Sequence, residues 1–332
     1  MIKNKKQTKT IIWEIDKLLF GFCLVFSILY FGFAQKVHAQ TLGLSISPPI
    51  DEIMIMPGKE VTRTFTITND GESGMASIYI VPFRAQGENG NVALDEKNAV
   101  TGLSPFASWF SIISPVTSFG EKFYMTGGQT QTVTIKISPG VNAVERDYYF
   151  TLLYELDNDI PGGFTPIGPT NQARIGANLL LSISKDGKPV KNPYIAEFSA
   201  PKVIDSLGSL IYKIRIGNNG SYVFKSNGKI TIKPTFGTSE TLNLAPLNII
   251  SDSIRSIPCL SGEEMISCQS NHKVLIGIYK STLSIIPDGE GDPQTKTVTT
   301  VAFPFSILFG LILVAATYKI IRKSQKTGKE SS

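Results

Sequence analysis

From residue 40 to residue 300 apolar and polar positions alternate in short runs. "EVTRTFTITND" places Val61, Phe65 and Ile67 on one face and Thr62, Thr64, Thr66 and Thr68 on the other. "QTVTIKIS" turns Val133, Ile135 and Ile137 inward, and "ANLLLSIS" and "LIYKIRIG" continue the period of two. "YYFTLLYEL" is apolar on both faces, the mark of a strand covered on both sides. The runs are rich in Ile, Val, Thr, Tyr and Phe, with Gly, Pro, Asn and Asp between them, which predicts an all-β body. No long 3.6-residue period appears between residues 40 and 297; one helical turn is predicted at "SPFASWFS".

One phrase occurs twice. "ITNDGESGMASIYIVP" (67–82) and "IGNNGSYVFKSNGKITIKP" (216–234) each run from an alternating strand through an Asn and a Gly-containing turn into a strand ending at Pro. The repetition predicts two similar Ig-like β-sandwich domains, each opening with a hairpin-like pair. Each also has a late strand bearing Tyr: Tyr148 and Tyr149, and then Tyr279 in a G-x-Y spacing with Gly277. Such a Tyr either bonds back to the backbone and pins the corner of the sandwich or is an ordinary strand aromatic. The polar "KDGKPVKNP" (185–193) separates the two sets of strands, giving domains 40–184 and 194–286 with a linker between. "PDGEGDPQTKT" then predicts a polar stalk over 287–298. Its Asp288, Glu290 and Asp292 alternate like a calcium loop, but Pro293 stands where Gly is needed and Thr299 where Glu is needed, so it reads as a solvated linker.

The two ends differ from the body. Residues 1–39 carry Lys3, Lys5, Lys6 and Lys9, a 17-residue apolar run over 18–34 and the small-residue pattern Val37-His38-Ala39, predicting a signal peptide cut between Ala39 and Gln40 or kept as an anchor. Cys23 lies inside the apolar run, behind residues too bulky for a lipoprotein site. Val301–Tyr318 is 18 residues without a charge, and a helix over 299–321 would cross a membrane. Lys319, Arg322, Lys323, Lys326 and Lys329 put the tail 322–332 on the cytoplasmic side, with both domains outside. Residues 40–300 hold 21 Lys or Arg against 24 Asp or Glu, net −3, while each end is +4. The basic pI therefore belongs to the ends and argues for no nucleic-acid partner.

Beyond residue 39 the chain has one His, His272, and two Cys, Cys259 and Cys268. "CQSNHKVLIG" has no nucleophile signature around His272, which reads as a solvated loop residue. C-x8-C-x3-H is not a zinc spacing. In an exported chain Cys259 and Cys268 predict a disulfide across "LSGEEMIS". Asp157 and Asp159 are the densest acidic pair near a strand end. Neither an enzyme nor a cofactor or metal site is expected. The longest loop, "NDIPGGFTPIGPTNQ" (158–172), is the candidate partner-binding loop through Phe164, Pro166 and Ile167; the same residues could instead fold back over the end of the sandwich.

The whole architecture, and "SISPPIDEIMIMPGKEVTRTFTITNDGESGMASIYIVP", "GGQTQTVTIKISP" and "RDYYFTLLYEL" in the first domain, resemble the WxL-interacting proteins of Gram-positive bacterial surfaces. The same pattern is similar to periplasmic pilus chaperones, although "LGLSISPPIDE" lacks the first-strand Arg that those chaperones use to hold a carboxylate. The first resemblance implies a surface-anchored binding or adhesion protein facing cell-wall polymer or another surface protein. The second implies an assembly factor that holds exported proteins by strand addition.

Overall fold

The computed structural model describes residues 43–157 and 172–329, with side chains to Arg322; they lie in one compact unit. The signal segment with Ala39 and Gln40, and the loop residues Phe164, Pro166 and Ile167, lie outside the described residues. Strands dominate, in two sandwiches, each around its own apolar core.

The first sandwich uses β1 (Leu44–Ser47), β2 (Ile50–Ile55), β3 (Val61–Asn69), β4 (Gly74–Gln86), β5 (Asn91–Leu94), β6 (Phe110–Ser114), β7 (Phe123–Met125), β8 (Thr130–Ile137), β9 (Asp147–Asp157) and β10 (Gln172–Ile183). One sheet runs β1-β3-β8-β6. The facing sheet runs β2-β10-β9-β4-β5, with β7 also on β4. The residues that alternation turned inward form the core: Phe65, Ile67, Val133, Ile135 and Ile137 meet Ile78, Phe150 and Leu152, all buried. β9 is central, as its two apolar faces predicted. The expected helical turn is a short 3-10 turn, Ala107–Trp109.

The second sandwich uses β11 (Pro193–Ser199), β12 (Val203–Asp205), β13 (Lys213–Asn218), β14 (Phe224–Lys225), β15 (Gly228–Pro234), β16 (Glu240–Leu244), β17 (Asn248–Ile249), β18 (Ser253–Ser256), β19 (Cys259–Ser261), β20 (Glu264–Ile266), β21 (Gly277–Ile285) and β22 (Gln294–Phe303). β11-β13-β18 faces the long sheet β12-β22-β21-β15-β16-β19-β20, and β14 pairs with β17. Helix α1 (Phe305–Lys329) follows; its Phe305–Arg322 window is long and apolar enough to cross a membrane and is wholly unburied.

The repeated Asn phrase is a corner and not a hairpin. β3 and β4 belong to opposite sheets, as do β13 and β15. Alternation shows which face of a strand is buried, and two strands packed across a core alternate just as two paired strands do. The Asn makes the crossing. Buried Asn69 accepts the Gly71 N–H through Oδ1 (3.0 Å) and donates through Nδ2 to the carbonyls of Glu72 (2.7 Å) and Thr126 (3.4 Å). Asn218 repeats this with the Gly220 N–H (2.9 Å) and the carbonyls of Tyr222 (2.8 Å) and Ile249 (2.9 Å). Each side chain satisfies backbone groups that no ladder reaches. The late tyrosines bond back as well. Tyr148 donates its hydroxyl to the Val144 carbonyl, and the Tyr279 hydroxyl accepts the Ile276 N–H, both at 3.3 Å.

The expected stalk over 287–298 is overturned in the same way. Gln294–Phe303 is a strand that pairs antiparallel with β21 along its whole length and parallel with β12. Val298, Thr300 and Ala302 turn toward the core, a period-two pattern masked by the polar residues between them. Helix α1 therefore starts at Phe305 and not at residue 299, with Pro304 alone between strand and helix. Asp205 Oδ2 accepts the Ser306 N–H (2.8 Å) in the first turn of that helix. Nor is Asp288 a solvated linker residue: it pairs with Lys191 and accepts the Lys225 N–H (2.7 Å).

The two sandwiches touch through polar contacts. Tyr149 of β9 meets Ser251, its hydroxyl 3.0 Å from Ser251 Oγ and accepting the Ser251 N–H at 2.9 Å. Glu88, after β4, pairs with Arg215, and its carbonyl accepts the Ser256 N–H (2.8 Å). Glu52 of β2 takes Lys225 (3.1 Å) and the Asn248 amide (2.8 Å).

Candidate functional site

The feature of the first sandwich that is open to a partner is an edge. β10 pairs with β9 from Gln172 to Ser182, but with β2 only from Asn178 onward. Among the described residues, no strand pairs with Gln172–Ala177 on the β2 side. The Asn178 N–H donates to the Pro49 carbonyl across that side (2.9 Å). By the two-residue period of a strand, the amides and carbonyls of Arg174 and Gly176 face the same open side. β1 runs close to β10 without pairing to it, because the chain steps from one sheet to the other between β1 and β2.

Apolar side chains border this edge. Ala173 and Ile175 of β10, with Leu44 and Ile46 of β1, pack against the core but stay partly uncovered. Further along β10 the inward residues Leu179, Leu181 and Ile183 are fully buried, since β2 covers them. Arg174 lies on the outer face, paired with Glu155 and, at 3.0 Å, with Glu96. The segment carries no Pro and no Lys, the usual guards of a free edge. It can accept an added strand: backbone hydrogen bonds to Arg174 and Gly176, and alternate apolar side chains over Leu44, Ile46 and Ile175.

At the junction of the sandwiches lies a cavity of about 100 Å³ between Phe83 and Leu180 of the first and Ile250, Ile254 and Arg255 of the second. Arg255 Nη1 donates to the Asn248 carbonyl (2.6 Å), while its Nε is buried without a partner. Burial holds the Arg255 pKa below the ordinary arginine range.

His272 is not the solvated residue that its loop suggested. Its Nδ1 lies 3.1 Å from Glu240 Oε2 and 2.9 Å from Ser270 Oγ, and Ser270 donates to the same carboxylate oxygen at 2.7 Å. In a Ser–His–acid triad the serine and the acid meet opposite ring nitrogens; here both meet Nδ1. The Asn271 N–H adds a bond to Glu240 Oε1 (2.9 Å). Burial alone would raise the Glu240 pKa, but these hydrogen bonds hold it below the usual carboxylate value. The cluster ties β16 to the loop before β21. Cys259 and Cys268 are buried and joined as a disulfide. Asp157 pairs with Lys122 at 2.9 Å, and Asp159 lies outside the described residues. The open edge itself escaped the sequence reading. The signal for it is weak: "QARIGA" alternates as a strand does, with nothing in it to tell whether both sides are paired.

No protein-family model matches the chain, and no curated protein matches it. Solved structures of pilus chaperones do. The E. coli chaperone DraB matches at 13% identity over 78% of this chain and 99% of that one, with a TM-score of 0.35. A Salmonella enterica complex of the SafA pilin with the SafB chaperone matches at 10% identity, over 79% and 98%, with a TM-score of 0.35. The YadV chaperone matches at 10% identity, over 77% and 99%, with a TM-score of 0.36. The chain is thus similar to these two-domain proteins. At such scores the likeness is loose, and nothing about the site follows from it.

Proposed function

We propose that this chain is a membrane-anchored protein that holds an extended segment of another exported protein outside the membrane, by strand addition to β10. The observation that carries this reading is the edge Gln172–Ala177, paired on one side and bordered by half-covered apolar side chains. A strand laid there satisfies backbone groups and covers Ile175 and Ile46 together, which is how an edge binds a peptide without reading much of its sequence. A sheet edge recognises backbone amides, so a surface protein suits the site better than a cell-wall polymer. The resemblance to WxL-interacting surface proteins supports the same placement: two sandwiches outside, one span, and a basic tail within.

The test uses a soluble synthetic peptide of alternating Val and Thr as probe. Bound peptide is expected to slow deuterium exchange at the amides of Arg174 and Gly176. Arg174→Pro removes an outward N–H and is expected to weaken peptide binding about tenfold, roughly the worth of one hydrogen bond. Arg174→Ala, which loses the ion pairs but keeps the N–H, is expected to bind as the parent does. Equal binding by Arg174→Pro, or exchange at those two amides unchanged by bound peptide, would refute the reading.

A further inference from the structure

The second sandwich carries an apolar row on its outer surface. Val203, Val301 and Ile278 are register partners across β12, β22 and β21, so their side chains stand side by side on one face. That face points away from the core, where Ile204, Ala302 and Tyr279 lie, and the three side chains are 41–57% exposed. Phe303 continues the row toward the helix, its ring 5.0 Å from that of Phe305. A soluble domain does not usually gather this many exposed large apolar groups in one place.

Two residues further from the helix, the same face changes character. Thr299 follows Val301 on β22, and Lys280 follows Ile278 on β21, with Lys233 of β15 directly opposite Lys280. Like charges opposite each other across two strands destabilise a sheet. Neither lysine forms an ion pair among the described residues, and both are exposed. Beyond them come Thr282 and Thr297, hydroxyl to hydroxyl at 3.0 Å. Read away from α1, the face is apolar, then cationic at the Lys233–Lys280 pair, then a row of threonines, with Lys229 exposed beyond it. Those are the layers of a bilayer surface: acyl boundary, phosphate, water. Only Pro304 separates β22 from the helix, so this end of the sheet is carried to wherever the helix enters the membrane.

We propose that the second sandwich is seated in the surface of the bilayer that α1 spans, with Val203, Ile278 and Val301 at the acyl boundary and Lys233 and Lys280 on anionic phospholipid headgroups. The seat rests on the membrane anchoring proposed above and adds to it. The chain would stand on its membrane in a set orientation, with no flexible stalk between helix and domain.

The experiment places one spin label at a time in the full chain, with Cys23 replaced by Ser and the native disulfide kept. The label sites are Ile278→Cys, Val301→Cys, Thr297→Cys and Leu311→Cys, in vesicles of phosphatidylglycerol and phosphatidylcholine. Collision rates with oxygen, which concentrates in lipid, and with a water-soluble nickel chelate are compared. Labels at 278 and 301 are expected to favour oxygen, as the label at 311 in the helix does, while the label at 297 favours nickel. Lys233→Ser with Lys280→Ser is expected to raise nickel collisions at 278 several-fold in the anionic vesicles and to leave pure phosphatidylcholine vesicles unchanged. If 278 and 301 read as water while 311 reads as lipid, the seat is refuted and the anchor stands. A label at 311 that reads as water refutes both. Dipolar broadening between labels at 278 on different molecules would assign the row to a second copy of the chain and refute the seat.

Discussion

Asn69 and Asn218 show how much a single buried amide can organise. Each replaces three backbone partners at a point where the chain leaves one sheet for the other. Replacing Asn218 with Ala strands the Gly220 N–H and the carbonyls of Tyr222 and Ile249 in a buried corner. The expected loss is about 3 kcal/mol, because an unmet buried polar group costs more than a made bond gains. Urea unfolding should show it, and Asn69→Ala should lose a similar amount from the first sandwich; a loss of less than about 1 kcal/mol in both would mean that water or a shifted turn replaces the amide. Both Asn residues stood out in the sequence because the phrase repeats. What each touches did not, since Ile249 lies 31 residues from Asn218 and Thr126 lies 57 from Asn69. His272 gives the same lesson. Its neighbours in the chain suggested a loop, and its partner Glu240 is 32 residues away.

At the scale of the element, β9 combines two tasks. Its middle is the apolar centre of a sheet, and its first residues hold the second sandwich. Buried Asp147 accepts the Val223 N–H and the Tyr149 hydroxyl (3.1 Å) through one oxygen. Burial pushes its pKa above the ordinary value of 3.8, while hydrogen bonding from the Ser182 side chain, then from the Val223 N–H and the Tyr149 hydroxyl, pulls back. The folded state therefore keeps its proton to higher pH than the unfolded chain. Below the unfolded value both states are protonated and the burial of the carboxyl is uncharged. As pH rises through the window above 3.8 up to the folded value, that contribution is lost. Compared with Asp147→Asn, the parent should lose relative stability across that window and level off above it. Urea titrations from about pH 3.5 to about pH 7 test this; a relative stability that rises with pH would show that hydrogen bonding outweighs burial. β22 marks the limit of reading elements from pattern. Four Thr and a Lys hide its inward Val298 and Ala302, and only its pairing with β21 and β12 identifies it as a strand.

For the whole molecule, orientation is the prediction. By their charge, the basic residues after Tyr318 are expected to hold the tail inside, with both sandwiches outside. Protease added to intact, wall-stripped cells is expected to remove the body and spare a tag at Ser332; a tag cut under those conditions would reverse the topology. The edge of β10 on the first sandwich and the apolar row on the long sheet of the second would then act separately, the first on a partner and the second on the membrane.

The sequence by itself determined what depends on composition and period. It showed two all-β sandwiches, the inward face of most strands, the Cys259–Cys268 pair and an apolar segment long enough to span a bilayer. The tertiary structure alone decided which strands lie side by side: that the Asn phrases cross between sheets, that β22 closes onto β12, and that the start of β10 has, among the described residues, a strand on its β9 side alone. The reason is physical. A side chain records whether its position meets apolar matter or water, so burial leaves a mark on residue type. The backbone N–H and C=O groups that join strands are the same at nearly every residue, so pairing leaves almost none.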